Sequence, residues 1–212
     1  MDYASPFQNL PSNWCLTNLL SISYINPRNQ VKDEDVDASF IPMTLIPQIY
    51  SGKHLSEKKK WKDIKKGFTH FKSNDIGIAK ITPCFENGKS AWLNTLATDF
   101  GYGSTEFHVV RCSQRILGSF LYLIVSSPLF LTAGEAMMTG SAGQKRVPSS
   151  FIQNFPTAIP NIEEQARIVN EVHEEFNQID FVIQSSNYQI EKLKEYKTTL
   201  INSAVTGKIK VV

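Results

Sequence analysis

The stretch Ile159-Pro-Asn-Ile-Glu-Glu-Gln-Ala-Arg-Ile-Val169 marks a change of character in this chain. After Pro160 no glycine or proline occurs until Gly207, and apolar residues recur at helical spacing throughout. Asn161 is placed to cap a helix, and Glu164, three residues on, completes a capping-box pattern directly after a proline. The spacing predicts one helix over Ile162–Ala204, stopped by Gly207. With position a at Ile162, Val169, Phe176, Ile183, Ile190, Lys197 and Ala204, position d falls at Gln165, Val172, Ile179, Ser186, Leu193 and Leu200. Only Gln165, Ser186 and Lys197 break the apolar seam, which is a heptad pattern sustained along the whole segment. At 1.5 Å per residue such a helix is roughly 65 Å long, more than a head domain needs for its own packing.

A coiled-coil partner, in the same or another chain, is therefore the expectation, and a helix folded back on its own domain is the alternative. Val169, Val172, Phe176, Ile179, Ile183, Ile190, Leu193 and Leu200 are the candidate dimer or partner interface. Ile168, Val182, Tyr196 and Ile201 flank the seam and widen it, which suggests more than one packing surface.

Upstream, residues 1–158 read as short β-rich pieces and turns, with helices expected around Gly118–Val125 and Pro128–Met138. In the middle lies Ile81-Thr-Pro-Cys-Phe-Glu-Asn-Gly-Lys89. Ile76 and Ile78 alternate with smaller neighbours before it, Ser90-Ala91-Trp92-Leu93 follows, and Asn87-Gly88 tolerates positive φ at both centres of a tight turn, so the segment reads as a hairpin. The fold class expected is α+β: a mixed, β-rich domain over 1–158, followed by a long C-terminal helix over 159–212.

The chain has 212 residues, 42% of them hydrophobic, enough for an ordinary buried core. Against 20 Asp and Glu stand 22 Lys and Arg, so the net charge of +2 selects no partner by itself. Cys15, Cys84 and Cys112 are far apart, odd in number and in no C-x-x-C pair, which argues against a disulfide framework or thiolate metal site and fits a reducing cytoplasm. No signal peptide is visible, and the most apolar run, Ile116–Leu131, is short and broken by Gly118 and Pro128. A soluble, cytoplasmic protein with no membrane association is expected.

Catalytic signatures fail one by one. Cys84 has no histidine tied to it by any motif that would generate a thiolate. Asp99-Phe100-Gly101 lacks the glycine-rich loop and H-R-D segment of kinases, Gly101-Tyr-Gly103 lacks a third glycine, and Gly140-Ser-Ala-Gly143-Gln-Lys145 lacks P-loop spacing. No catalytic residue, metal site or cofactor is expected in this chain.

Two polar segments remain. Lys53, Lys58, Lys59, Lys60, Lys62, Lys65 and Lys66 surround Trp61, with only Glu57 and Asp63 opposing in the same stretch. Such a run suits DNA phosphates, and equally a merely solvated basic surface. Ser141, Gln144, Lys145 and Arg146, on a glycine-containing loop, are side chains of the kinds that hydrogen-bond base edges and phosphates, unless the loop is simply a turn before the next element. Ser104, Thr105, Glu106 and His108 join them as candidate DNA-binding residues, with burial in a strand the competing reading for Glu106 and His108.

An ordered set of short elements resembles the specificity subunit of type I restriction-modification systems. They are Pro11-Ser-Asn-Trp14, Ile25-Asn-Pro-Arg28, Phe40-Ile-Pro-Met43, Lys65-Lys-Gly-Phe68-Thr, Ile76 to Lys89, Gly103-Ser-Thr-Glu-Phe-His-Val-Val110 and Met138 to Pro148. The helix entry Ile159 to Val169 and the tail Leu193-Lys-Glu-Tyr-Lys197 with Ala204-Val-Thr-Gly-Lys208 complete the order. The resemblance implies a target-recognition domain that reads double-stranded DNA and a spacer helix. It also implies a non-catalytic role: directing a methylation subunit, which uses S-adenosylmethionine on adenine, and a restriction subunit, which uses ATP and Mg. Glu164, Gln165 and Arg167 are then candidate contacts to the methylation subunit. Full-length members carry two recognition domains and two spacer helices where this sequence carries one of each, so the chain resembles half a subunit and a homodimer through the helix is expected. A coiled-coil interaction module without DNA affinity is the rival.

Overall fold

The computed structural model describes residues 7–31, 33, 35–48, 50, 54–64, 67–141 and 143–209. Contacts divide the chain into Met1–Val169 and Asn170–Val212. The first unit is built on two four-stranded sheets and a two-stranded ribbon among the described residues.

One sheet holds β2 (Ser23–Ile25), β9 (Phe107–Cys112), β6 (Ile76–Ala79) and β7 (Ser90–Trp92) in that order, all antiparallel. Strand alternation sends Ile76, Ile78 and Val110 to one face. There they pack with Phe120, Leu121, Tyr122 and Val125 of α3 (Gly118–Ser126), Phe130 and Ala133 of α4 (Pro128–Ala136), and Phe151 and Ile152 of α5 (Ser149–Asn154). Leu19 and Ile22 of the short α1 (Leu19–Ile22) complete this main core. The opposite face supplies Ala91, Phe107 and Val109 to a second cluster with Ile41 and Phe71 of the other sheet.

That other sheet runs β4 (Glu57–Lys60), β3 (Asp37–Ile41), β8 (Phe100–Gly103) and β5 (Thr69–Lys72), with β3 and β8 parallel and the rest antiparallel. Gly101 is required by close approach, since a Cβ there would sit 1.9 Å from the Ser39 carbonyl oxygen and 2.7 Å from the Phe71 ring. The glycine of Asp99-Phe100-Gly101 thus has a packing cause. On the outer face Trp61 of α2 (Trp61–Ile64) covers Ala38 and Tyr102. Asp75, after β5, is almost fully buried and receives two hydrogen bonds from Arg111 of β9, at 2.9 and 2.8 Å. Finally β1 (Cys15–Asn18) pairs with β10 (Pro156–Ile159), and β10 feeds the 44-residue α6 (Ile162–Val205).

The long helix, the two internal helices and the β6–β7 pair match the sequence reading. The tight Asn87-Gly88 turn does not. β6 and β7 are joined by a longer excursion in which the Phe85, Asn87 and Lys89 amides return to Ile81, Pro83 and Cys84, and only Gly88 has positive φ. Phe85 decides this, because its ring is buried in the main core against Phe130, which draws the loop inward. Cys84 is half-buried. Cys112 is half-buried too, packed against the main core, and burial pushes its thiol up to about 12.

The capping box is half formed. The Glu164 amide donates to Asn161 Oδ1 at 2.9 Å, but the Glu164 carboxylate accepts from Asn13 Nδ2 and from Trp14 Nε1, the latter at 3.1 Å. Val169, expected on the seam, is instead 5% exposed in the main core. Gln165 is fully buried, so the first two turns of α6 are part of the head. Beyond them Val172 is half-buried and Phe176, Ile179, Ile183, Ile190, Leu193 and Leu200 are exposed.

No single helix among the described residues is long and apolar enough to cross a membrane. The apolar pair α3–α4 bends by 58°, and its large residues belong to the core.

Candidate nucleic-acid interface

The Ser104–Glu106 turn and the 139–147 loop, both nominated from sequence, meet in space. β8 ends in a turn where Phe107 N donates to the Ser104 carbonyl and Glu106 N to Ser104 Oγ, which presents Glu106 beside the 139–147 loop. Arg146 donates through Nε to Glu106 Oε2 at 2.9 Å and through Nη2 to Oε1 at 2.8 Å. This bidentate pair holds the Glu106 carboxyl below its usual range, the Arg146 hydrogen bonds being the largest cause.

The loop itself is clamped at its base. Thr139 and Arg146 exchange backbone hydrogen bonds of 3.0 and 2.8 Å, Thr82 N donates to the Lys145 carbonyl, and Val147 N to that of Lys80. Gly140 and Gly143 take positive φ, which an L side chain resists, and the loop projects Ser141, Gln144 and Lys145 into solvent.

His108 is placed differently from the expectation of a base contact. It is 5% exposed, with Nε2 donating to the Val147 carbonyl at 2.8 Å and Nδ1 accepting from Asn26 Nδ2 at 3.2 Å. Burial lowers its pKa, so the ring is neutral and both nitrogens are committed to structure. The strand-burial alternative is the observed one. Thr105 is exposed and Ser104 half-buried.

The lysine segment is also changed by its surroundings. β4 pairs with β3 in a register that sets Lys60 opposite Asp37, so carboxylates from a distant part of the sequence face the lysines. Lys58 and Lys60 both reach Asp37 at 2.8 Å, Lys62 reaches Asp35 at 2.7 Å, and Lys59 reaches Glu57 at 3.1 Å. The two ammonium groups hold the Asp37 carboxyl down to about 2. Sequence counting saw Glu57 and Asp63 and missed Asp35 and Asp37. Lys53, Lys65 and Lys66 lie outside the described residues.

Between the sheets opens a cleft of about 590 Å³, lined by Asn26, Pro27, Arg28, Phe68, Thr69, His70, Lys80 and His108 among others. The corner that carries Arg28 is fixed on both sides. Asn26, with φ 52°, donates its amide to Val109 and accepts the Val109 amide on Oδ1, while Asn29 Nδ2 donates to the Phe71 carbonyl. Arg28 stays exposed. Lys80 sits on the wall shared with the clamped loop, near enough to Glu106 to help depress its carboxyl. The cleft, the loop and the Glu106–Arg146 pair therefore form one continuous surface carrying Arg28, Lys80, Lys145 and Arg146.

No protein-family model matches the chain. Two curated relatives do: the type I restriction enzyme EcoAI specificity subunit of Escherichia coli, 45% identical over 93% of this chain, and the EcoEI specificity subunit, also of Escherichia coli, 48% identical over 77%. The chain is a relative of type I restriction specificity subunits. It spans about a third of their length, 34% of the first and 28% of the second. Among solved structures, the HsdS subunit from Thermoanaerobacter tengcongensis matches with a TM-score of 0.69 over 84% of this chain and 46% of its own. A chain from a structure concerned with complex assembly and conformational transition of the type I R-M system matches with a TM-score of 0.71 over 94% and 50%. Both are 18% identical, and what they share with this chain is the fold.

Arg28 and Lys80, the cations lining the cleft, are outside the set of candidate residues read from the sequence. The signal is present in Ile25-Asn-Pro-Arg28. Two asparagines around a Pro-Arg pair can fix a corner through side-chain amides and leave the arginine outward.

Proposed function

We propose that this chain is a DNA-sequence-recognition module of a type I restriction-modification enzyme, itself non-catalytic. In this reading the head contacts double-stranded DNA and α6 carries it into an assembly with methylation and restriction subunits. S-adenosylmethionine, ATP and Mg would serve those partners. The observation that carries the proposal is identity of 45% to a specificity subunit over 93% of the chain.

The geometry supports a division of labour. Arg28 and Lys80, two cations in a cleft with Lys145 on the adjoining loop, suit the phosphate backbone, whose neutralisation releases counterions and makes affinity fall with salt. Ser141, Gln144 and Arg146 on the exposed loop suit base edges. Lys58, Lys60 and Lys62 already face carboxylates and contribute less to a phosphate site than their number suggests. The exposed seam of α6 suits a second copy of the chain as well as partner subunits.

The test is fluorescence anisotropy of a mixed-sequence duplex with the full chain at several salt concentrations. Affinity should fall steeply with salt, and the Arg28→Ala, Lys80→Ala double variant should flatten the slope of log K against log salt by about 2, since each phosphate contact contributes about 0.9. Replacing Lys58, Lys60 and Lys62 with glutamine should flatten it less. A wild-type chain that binds no duplex even at low salt would favour a coiled-coil module without DNA affinity.

A further inference from the structure

The exposed Arg146 is held unusually firmly for a surface side chain. Its backbone exchanges two hydrogen bonds with Thr139 and bridges to Ile81, and its neighbours Lys145 and Val147 are tied to Thr82 and Lys80. Its side chain is 45% exposed, while that of its partner Glu106 is 25% exposed. A typical surface ion pair involves two mobile chains and contributes little. Here one partner is seated in a turn fixed by Ser104, and the other springs from a clamped loop base.

The donor count shows what this clamping leaves available. A guanidinium has five N–H groups. Nε–H and one Nη2–H go to Glu106, and one Nη1–H goes to the Gln144 carbonyl at 3.3 Å. One hydrogen remains on Nη1 and one on Nη2. With Nε–H and its neighbouring Nη2–H on Glu106, the free Nη2 hydrogen lies on the distal edge of the planar group beside Nη1, where the two nitrogens can offer their remaining hydrogens as a fork. In the major groove, guanine presents O6 and N7 as a pair of acceptors, the pattern an arginine fork matches bidentately. Glu106 also fixes the plane of the fork, so less side-chain entropy is lost on contact.

We propose that Arg146 is a specificity-determining residue that reads a guanine in the major groove, and that Glu106 is its positioning residue. The inference rests on the DNA-recognition reading above and adds to it the base and the side chain. A carboxylate beside a DNA surface would otherwise repel phosphate; its engagement with Arg146 accounts for its presence there.

The test is sequencing of duplexes retained from a randomised pool by the full chain, with each variant's thermal unfolding measured alongside. For the wild type, one position should be guanine, favoured on the order of 5- to 150-fold over other bases. Arg146→Lys keeps the charge but loses the fork, so affinity for the guanine-containing sequence should fall toward that for the other bases while non-specific affinity and the salt slope stay near wild type. Glu106→Gln should weaken the same preference by a smaller factor and leave the other positions unchanged. If both variants fold and return the wild-type base profile, or lower affinity equally at every position, Arg146 is not the reader and the inference is wrong while DNA recognition stands. A wild-type chain that retains no duplex overturns the DNA reading and this inference with it.

Discussion

Both nitrogens of His108 are engaged, one donating to Val147 and one accepting from Asn26, and protonation would break the second bond by placing a proton on the acceptor. Burial is the main cause of its lowered pKa; the Val147 carbonyl and Glu106 oppose the shift and Lys80 adds to it. The sign follows from comparing states. Unfolded, the ring titrates near the ordinary 6.5; folded, it titrates lower, so between the two values the unfolded chain binds more protons. Stability from the neutral ring is therefore complete above about pH 6.5 and is lost as pH falls through the lowered value. Melting temperature should drop on acidification below about pH 6.5, and His108→Gln, which keeps a neutral polar group, should reduce the slope. His54, also lowered by burial, supplies the part that persists. Equal slopes in wild type and variant would show that His108 does not carry the effect.

At the scale of elements, α6 is legible because its evidence is local: a proline, a cap, a 3.5-residue apolar period with few breaks and a terminating glycine. The heptad reading nevertheless treated Gln165 as a polar flaw in the seam. In the fold its Oε1 accepts from Leu117 N at 2.9 Å, and its Nε2 donates to the carbonyls of Arg115 and Pro160 at 3.0 and 2.9 Å. These partners lie in the loop before α3, 48 and 50 residues away, and at the end of β10, so periodicity alone had no access to them. The role proposed from the resemblance, a contact to the methylation subunit, does not suit a fully buried side chain. The lysines of β4 and Lys62 just beyond it fail the same way, because strand register sets Asp37 beside Lys58 and Lys60 and brings Asp35, just before β3, to Lys62. Gln165→Ala would leave one buried N–H and two carbonyls without this partner, each a loss of about 1–3 kcal/mol if unsatisfied. Urea denaturation should show a loss of at least about 2 kcal/mol, and Gln165→Glu should also destabilise, by turning a donor toward two carbonyls into an acceptor. A shift below about 0.5 kcal/mol for Gln165→Ala would mean that water replaces the clasp.

For the whole molecule the unspent feature is the apolar surface of α6 past Val169. Ile183 is 51% exposed and Leu193 66%, with Phe176, Ile179, Ile190 and Leu200 along the same seam. Burying such a side chain from full exposure is worth about 1.5–3 kcal/mol, and these are roughly half exposed, so six on each of two helices contribute about 9–18 kcal/mol, enough to offset an association cost of some 4–15 kcal/mol. A second copy offers the matching seam at no further requirement, and a symmetric pair would be isologous, presenting two identical heads to DNA. Sedimentation of the full chain at tens of micromolar should then give a dimer. The Ile183→Asp, Leu193→Asp variant should be monomeric with its head still folded, because neither side chain is buried in the single chain. The consequence for recognition is separable from folding: sequences selected by the wild type should be inverted repeats, whereas the monomeric variant should select one half-site with lower affinity. A monomeric wild type that selects an asymmetric site would leave the seam to another protein's helix.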